Sequence, residues 1–306
     1  MAILTVSNLT KKYGDYTAVN NISFSINEGE VVGLLGSNGA GKTTTIMMLL
    51  STLKPTSGSI VYFGKDFAVH RSEILEKVSY ASTYVKIPPR LTIEENLDIY
   101  ARLYGLSSEQ RKEQIKKYLT FFGMWNIRDR ETGALSAGQL TRVLLAKAFI
   151  SSPKIVLLDE PTASLDPDIA QEVREFIKQQ QRDQNTSILL TSHNMDEVTE
   201  VCDRVLVMQN GSIIAQDTPE ALAASISQSR LHLTMNDTTR AVQFAEEHRL
   251  HYAVHGSMIE ITIHEQEIAG LLDALALQGI KYTQISIDKP TLEDYFMHIV
   301  KQGNAR

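Results

Sequence analysis

The chain has 306 residues, of which 43% are hydrophobic, so it is long enough for one large or two modest domains with real cores. Its formal net charge of −6 argues against nucleic acid as the main partner, since no strongly basic stripe accompanies it. No apolar run approaches the roughly twenty residues that span a bilayer, and the N-terminus lacks a secretory signal, so we expect a cytoplasmic protein.

The first predicted elements are two antiparallel edge strands. Residues 3–9 and 21–27 alternate apolar and polar side chains, as half-buried strands do. A buried strand, Val31 to Leu35, follows, and a helix begins near Lys42. Four apolar residues of this helix are expected to face the core: Ile46, Met47, Leu49 and Leu50.

The loop between this strand and this helix fits the phosphate-binding pattern G-x-x-x-x-G-K-[ST]. Backbone N–H groups of such a loop, with the helix N-terminus, bind the β-phosphate of a nucleoside triphosphate. We expect Lys42 to bridge the β- and γ-phosphates and the Thr43 hydroxyl to ligate Mg²⁺. The residues predicted to bind the nucleotide here are Gly36, Ser37, Asn38, Gly39, Ala40, Gly41, Lys42, Thr43 and Thr44.

The middle of the chain is predicted to be rich in helix. Helical periodicity runs from Ile93 to Phe122, and Thr92 before it is a good N-cap. Strand-like runs flank this region on both sides, which indicates a mixed α/β core with a helical insert at about residues 84–150. These runs are Ser59 to Phe63, Val78 to Ser82, Ile155 to Leu158, Ser187 to Thr191, Val205 to Gln209 and Ser212 to Ala215.

Two acids end the buried strand that starts at Ile155. In a nucleotide-hydrolysing site one carboxylate holds Mg²⁺ through water, and the next orients the attacking water. We therefore assign Asp159 to the metal and Glu160 to the catalytic base. Alone, a strand that ends in Asp-Glu is weak support, but the upstream phosphate loop strengthens it.

A further motif, Leu135-Ser136-Ala137-Gly138-Gln139, stands just before the helical run Leu140 to Ile150. Here the chain resembles the nucleotide-binding domain of ATP-binding cassette (ABC) transporters, whose signature L-S-G-G-Q differs only at Ala137. The resemblance covers residues 3 to about 217. It implies that Ser136, Gly138 and Gln139 grip the γ-phosphate of ATP bound to an opposite subunit, although Ser136 also suits a plain N-cap.

The same resemblance assigns three more residues. Asp166, in the segment Pro161 to Asp166, would cross the dimer interface. His193 would contact the γ-phosphate and position Glu160, which makes it catalytic together with Glu160 and Lys42. Tyr13 would stack on adenine, with simple packing as the alternative.

One position departs from the family pattern. The family has a glutamine after the strand Val78 to Ser82, where it contacts Mg²⁺ and reports to the membrane partner; this chain has Thr83. A threonine hydroxyl still contacts a metal or its bound water, but with less reach. We therefore expect Thr83 to contact the metal loosely and hydrolysis to be slower without the partner.

The last quarter of the chain is predicted to be a separate domain. A short helix, Pro219 to Ile226, and a polar linker, Ser227 to Arg230, lead into runs in the order β-α-β-β-α-β-α. This order predicts a small ferredoxin-like α+β domain at residues 227–306, behind an ATPase domain at residues 1–226. The tail holds six of the eight histidines, but their spacing does not favour a metal site, and the lone Cys202 is expected to be a buried core residue.

The motifs predict a Mg·ATP hydrolase, and the resemblance implies that it dimerises head to tail on ATP. The tail from Lys289 to Phe296 resembles those of exporter ATPases of the multidrug/daunorubicin-resistance (ABC-2) type. The resemblance implies a separate integral membrane permease and a peripheral position on the cytoplasmic face of the cell membrane, with no nucleic-acid partner. The alternatives are an ATP switch of the same fold outside transport and the ATPase of an importer.

Overall fold

The structure is a computed structural model that describes residues 1–82, 86–163, 165–226 and 228–303, without the side chains of residues 300–303. It divides into two compact units, one from Met1 to Thr218 and one that begins at Pro219. Each unit has its own cluster of buried apolar side chains.

The first unit opens with strands around the phosphate loop: β1 (Ala2–Tyr13), β2 (Tyr16–Asn27), β3 (Val31–Gly36), α1 (Lys42–Leu49), β4 (Ser57–Tyr62), β5 (Lys65–Asp66), α2 (Arg71–Leu75) and β6 (Val78–Ser82). It continues with α3 (Ile93–Leu103), α4 (Ser108–Phe121), α5 (Ala137–Phe149), β7 (Ile155–Asp159), α6 (Pro167–Gln184), β8 (Ser187–Thr191), α7 (Met195–Val201), β9 (Arg204–Gln209) and β10 (Ser212–Asp217). The strands form two sheets. An antiparallel sheet has the order β2-β1-β4-β5, and a six-stranded sheet has the order β10-β9-β3-β8-β7-β6.

The six-stranded sheet positions the site. Its strands are parallel except for the β10–β9 pair. Every residue of β3, β7 and β8 is buried, because apolar runs without polar alternation suit a sheet covered on both faces. Strand β8 lies between β3 and β7, so the carboxyl ends of all three meet at one edge. Loops that leave parallel strands at this edge are where nucleotide sites form.

The sequence predicts helical periodicity from Ile93 to Phe122 without dividing it into separate helices. The structure has two helices, since Gly105 turns the chain at φ +77° and Ser107 caps a new helix. Thr92 caps α3 as expected, in a capping box with Glu95. Helix α5 then returns the chain to the sheet and contacts β6.

The second unit contains α8 (Pro219–Ala224), β11 (Gln228–Thr234), α9 (Thr239–Glu247), β12 (His251–His255), β13 (Met258–His264), α10 (Ile268–Leu277), β14 (Gln284–Asp288) and α11 (Leu292–Gly303). Its strands form an antiparallel sheet in the order β12-β13-β11-β14. This order and the β-α-β-β-α-β succession are those of a ferredoxin-like domain, as the sequence predicts.

The predicted linker is wrong for its last three residues. Gln228 to Arg230 begin β11 and pair with β13. Ser229 is polar but buried, because it shares the face of Leu231 and Leu233. Helix α8 groups with the second unit, where it contacts α11, so the division falls at Pro219 rather than after residue 226.

Candidate functional site

The phosphate loop joins β3 to α1 with glycines at positions that exclude a side chain. A Cβ on Gly36 would lie 2.6 Å from the Met208 carbonyl oxygen, and one on Gly41 would lie 2.6 Å from that of Ala18. Gly41 also has φ +107°, a conformation that residues with side chains rarely adopt. A side chain at either position would therefore clash with a neighbouring backbone carbonyl.

A cavity of about 300 Å³ opens over this loop. It is lined by every residue from Ser37 to Thr44 and by Tyr13, Tyr16 and Ala18. Tyr13, which the resemblance assigns to adenine, therefore borders the same cavity as the phosphate loop. Tyr16 was not predicted, but it faces Tyr13 across the turn between β1 and β2 as its paired residue. Two half-exposed aromatic rings beside a phosphate loop can hold a planar base.

Lys42 is the buried cation of this loop. Its Nζ donates to the Gly36 carbonyl at 2.6 Å and to the Ser37 carbonyl at 3.3 Å. Burial lowers the pKa of Lys42, while the negative charges of Glu160 and Asp159 act in the opposite direction. Both predicted carboxylates therefore act electrostatically on the loop lysine.

Asp159, the last residue of β7, is buried between two neighbouring strands. Its Oδ1 accepts a hydrogen bond from Thr191 Oγ1 on β8 at 2.6 Å. Its Oδ2 lies 3.4 Å from the Tyr80 hydroxyl on β6, a longer and weaker contact. The carboxylate is held firmly on one side and keeps accepting capacity on the other.

Glu160 follows directly, and its backbone is strained at φ +54°. Two groups of His193 face its carboxylate. The His193 backbone N–H donates to Glu160 Oε2 at 3.3 Å, and His193 Nε2 lies 3.2 Å from Oε1. The histidine is half exposed, whereas the glutamate side chain is 14% exposed. The pair that the resemblance implies is therefore in contact.

The turn that carries His193 rests on a buried acid that sequence reasoning missed. Glu197 is fully buried and its carboxylate hydrogen-bonds to the Ser192 hydroxyl. Burial raises the pKa of Glu197, and the hydrogen bond from Ser192 opposes that rise. Ser192 in turn accepts from the Asn194 backbone N–H, and Asn194 caps α7. A Glu four residues after a histidine is the only sequence signal for this arrangement.

The signature residues lie apart from the phosphate loop within one chain. Ser136 caps α5 and is exposed, in a capping box with Gln139, and Gly138 lies in the first turn. Asp166 is exposed at the start of α6. Among the described residues, none of these four lines the cavity at the phosphate loop. Glu160 and His193 line a different cavity, which Leu165 also borders.

The residues present offer oxygen atoms that suit the Mg²⁺ ion expected with this fold. Thr43 lines the loop cavity and offers a hydroxyl, and Asp159 offers a carboxylate oxygen without a short hydrogen bond. No group of three or more His, Cys, Asp or Glu side chains in the described ranges could hold a metal alone. Such a composition suits an ion bound together with phosphates. Thr83, the other predicted metal contact, lies outside the described residues.

The remaining expectations concern Cys202 and membrane spans. Cys202 is buried, as predicted, and burial raises the pKa of its thiol. In the part of the chain that the structure describes, no helix is both long and apolar enough to cross a membrane.

Comparisons with known proteins agree with this geometry. A family model described as ABC transporter matches residues 19–163. The bacitracin transport ATP-binding protein BcrA of Bacillus licheniformis is 32% identical over 307 residues, which cover 98% of either chain. The ABC transporter ATP-binding protein NatA of Bacillus subtilis (strain 168) is 37% identical over 228 residues, 73% of this chain and 92% of that protein.

A solved structure shares the fold of the first unit. The ATP binding subunit of an ABC transporter superposes with a TM-score of 0.68 at 27% identity, over 73% of this chain and 92% of that chain.

Proposed function

This chain belongs to the ABC transporter family, among its ATP-binding proteins, and from that premise we propose that it hydrolyses Mg·ATP to power export through a separate membrane permease. One observation carries the proposal. At the end of β7, next to Asp159, both the ring and the backbone N–H of His193 face the carboxylate of Glu160. That arrangement suits a base held ready for a water molecule.

Nucleotide binding is assigned to the loop and its aromatic neighbours. Tyr13 and Tyr16 line the cavity where a base would stack, and the backbone of the lining residues Ser37 to Thr44 would supply N–H donors to phosphate oxygens. One of these donors, the Ala40 N–H, would first have to leave the Ser37 carbonyl, to which it donates at 3.1 Å. Lys42 would exchange its two carbonyl acceptors for phosphate oxygens, which are stronger partners for an ammonium group.

Hydrolysis is assigned to Glu160, His193 and Lys42. Glu160 would orient and deprotonate the attacking water, His193 would keep the carboxylate directed, and Lys42 would stabilise charge on the transferred phosphoryl group. Mg²⁺, when bound, supplies neutralisation of phosphate charge, with Thr43, Asp159 and Thr83 as its proposed protein contacts.

A second copy of the chain is proposed to complete the site. Ser136, Gly138 and Gln139 stand at the start of α5, where the helix N-terminus favours an anion. Because they do not line the loop cavity of their own chain, a head-to-tail dimer would bring them to the γ-phosphate. Asp166 would cross that interface.

The transport role rests on the relatives. The bacitracin protein is named for transport and a Nod factor protein of Burkholderia orbicola (36% identical over 228 residues) for export. With no suitable helix in the described residues, the pathway would belong to a permease, and this chain would sit against the cytoplasmic face of the membrane.

Glu160→Gln tests the proposal. The amide keeps the size of the side chain but cannot accept a proton, so turnover should fall by on the order of 10² or more. ATP affinity, measured by calorimetry, should stay the same. Glu172→Gln, a matched change at an exposed acid of α6, should leave phosphate release unchanged. Near-normal turnover in Glu160→Gln would remove Glu160 from the mechanism.

A further inference from the structure

Thr191 occupies a position that neither the motifs nor the resemblance assigns. It is the last residue of β8 and the direct partner of Asp159 across the β7–β8 pair. Its side chain is fully buried, beside the two carboxylates on which the proposed hydrolysis depends.

The Thr191 hydroxyl makes two contacts with opposite polarity. It donates to Asp159 Oδ1 at 2.6 Å and accepts from the backbone N–H of Glu160 at 3.2 Å. A hydroxyl has one proton, and an ionised carboxylate only accepts, so Asp159 fixes the direction of that proton. The lone pairs that remain then face Glu160. One oxygen atom therefore couples the two adjacent acids.

The second contact matters because the Glu160 backbone is strained. At φ +54° this residue holds a conformation that costs free energy and persists only where its surroundings enforce it. The Glu160 N–H is shared between the hydroxyl of Thr191 and the carbonyl oxygen of Thr191, at 3.2 and 3.1 Å. Threonine is also stiff at χ1, so the hydroxyl is held in one place.

We infer that Thr191 is a positioning residue whose hydroxyl sets the direction of the Asp159 carboxylate and the backbone of Glu160 together. This rests on the proposed function, because it gives the two acids their roles at metal and water. The inference goes beyond it by naming a residue on the neighbouring strand as their common support. Loss of the hydroxyl would loosen both groups while leaving the phosphate loop intact.

Thr191→Val removes the hydroxyl and keeps the branched shape. We expect kcat to fall on the order of ten-fold to a hundred-fold, the usual range when a supporting hydrogen bond is lost. Any rise in the KM for Mg·ATP should be no larger than the loss of metal affinity, since Lys42 and the loop are untouched. Thr191→Ser should restore most of the rate. Thr186→Val, at a buried threonine just before the same strand, is the matched control and should keep the wild-type rate.

A binding measurement separates positioning from activity. Electron paramagnetic resonance of Mn²⁺ with ADP should show weaker metal binding in Thr191→Val than in wild type or Thr186→Val. ADP affinity in EDTA should be equal in all three proteins. Unaltered Mn²⁺ binding with a wild-type rate in Thr191→Val would overturn the inference.

A double-mutant comparison distinguishes a specific effect of the Thr191 hydroxyl from a general loss of folded structure. In an Asp159→Ala background, which removes the acceptor of the hydroxyl, Thr191→Val should weaken Mn²⁺ binding no further. Full additivity there would also overturn the inference, and circular dichroism melts of every variant establish that the proteins compared are folded. If Glu160→Gln is inactive while Thr191→Val is normal, this inference fails alone; if Glu160→Gln is active, the proposed function fails.

Discussion

At the scale of single residues, the first unit buries the carboxyl group of Glu197 completely. A buried carboxylate is costly unless it is paired, and here the Ser192 hydroxyl is its hydrogen-bond partner. Arg174 and Glu160 act on its charge in opposite directions. Through Ser192, Glu197 supports the turn that carries His193. The free-energy cost of burying Glu197 depends on whether its carboxyl group is protonated.

That cost predicts a pH-dependent effect of Glu197→Gln. Burial raises the pKa of Glu197 in the folded state above its ordinary value of 4.5, so the folded state binds the proton more tightly than the unfolded state. Its contribution to stability is thus full below the ordinary value and is lost as the pH rises through the raised pKa. The variant, which cannot ionise, should gain stability relative to wild type between about pH 5 and about pH 8.

Urea unfolding midpoints of both proteins at the two pH values provide the measurement. Glu172→Gln on the exposed face of α6 should show no such trend. A difference between Glu197→Gln and wild type that stays constant with pH would mean that Glu197 is ionised to the same extent in both states.

Some residues of the candidate site can be predicted from local sequence motifs, and others cannot. Lys42 was predicted from the spacing of its motif, and Asp159 from a buried strand end downstream of that motif. Thr191 was not, because it contacts a residue of a strand that is distant in sequence, and register between such strands is set by the whole sheet. Tyr16 was missed although its pairing with Tyr13 is local, across a two-residue turn. Prediction also failed within one helix: Met47 was expected to face inward but is half exposed, whereas Met48 is buried.

At the scale of elements, α4 and α5 start in the same way. Ser107 and Ser136 each accept from the backbone N–H three residues on, and a glutamine at that position accepts from the cap. The two capping boxes should contribute equally to their helices, so they form an internal comparison. Only the second is proposed to meet a nucleotide.

Ser136→Ala and Ser107→Ala should each cost about 1 kcal/mol of unfolding free energy. Only Ser136→Ala should also weaken ATP-dependent dimerisation, because its hydroxyl has a proposed second partner. Light scattering of the two variants in a Glu160→Gln background, with and without ATP, measures this. Equal dimerisation in both would leave Ser136 as a cap and nothing more.

Elements themselves were mostly predicted where composition changes sharply. Strands β6 and β8 have their predicted bounds. In β8 the apolar run Ile188 to Leu190 is closed by a polar residue at each end, whereas β6 is read from its β-favouring composition although two of its five residues are serine. The start of β11 was mistaken for a linker because its first three residues are all polar, so the alternation of apolar and polar residues typical of a strand is missing there. Burial on one face only, as at Ser229, is decided by packing.

At the scale of the whole molecule, each of the two compact units has its own cluster of buried apolar side chains among the described residues. Ile261 is buried in the second cluster, paired with Leu231 on the neighbouring strand. Ile188 is buried in the first unit and pairs with Val31. Separate cores allow separate unfolding transitions, as multi-domain proteins commonly show.

Truncating one core should therefore affect its own transition. Ile261→Ala should destabilise the second unit by about 2–5 kcal/mol and leave ATP affinity unchanged. Ile188→Ala is the counterpart, and should lower the transition of the first unit and weaken ATP binding. Calorimetric scans with and without ATP identify which transition belongs to which unit. A single transition that shifts equally in both variants would show that the units unfold together.

The place of β8 in the sheet has a consequence for the order of synthesis. Strand β3 pairs only with β8 and β9 in the described sheet, and both are made long after it. A nascent chain that ends before Ser187 already contains the phosphate loop and both acids, yet β7 can join only β6. These non-local pairings give the first unit a high contact order, which slows folding. The contacts of Thr191 with Asp159 and Glu160 can therefore form only after β8 leaves the ribosome.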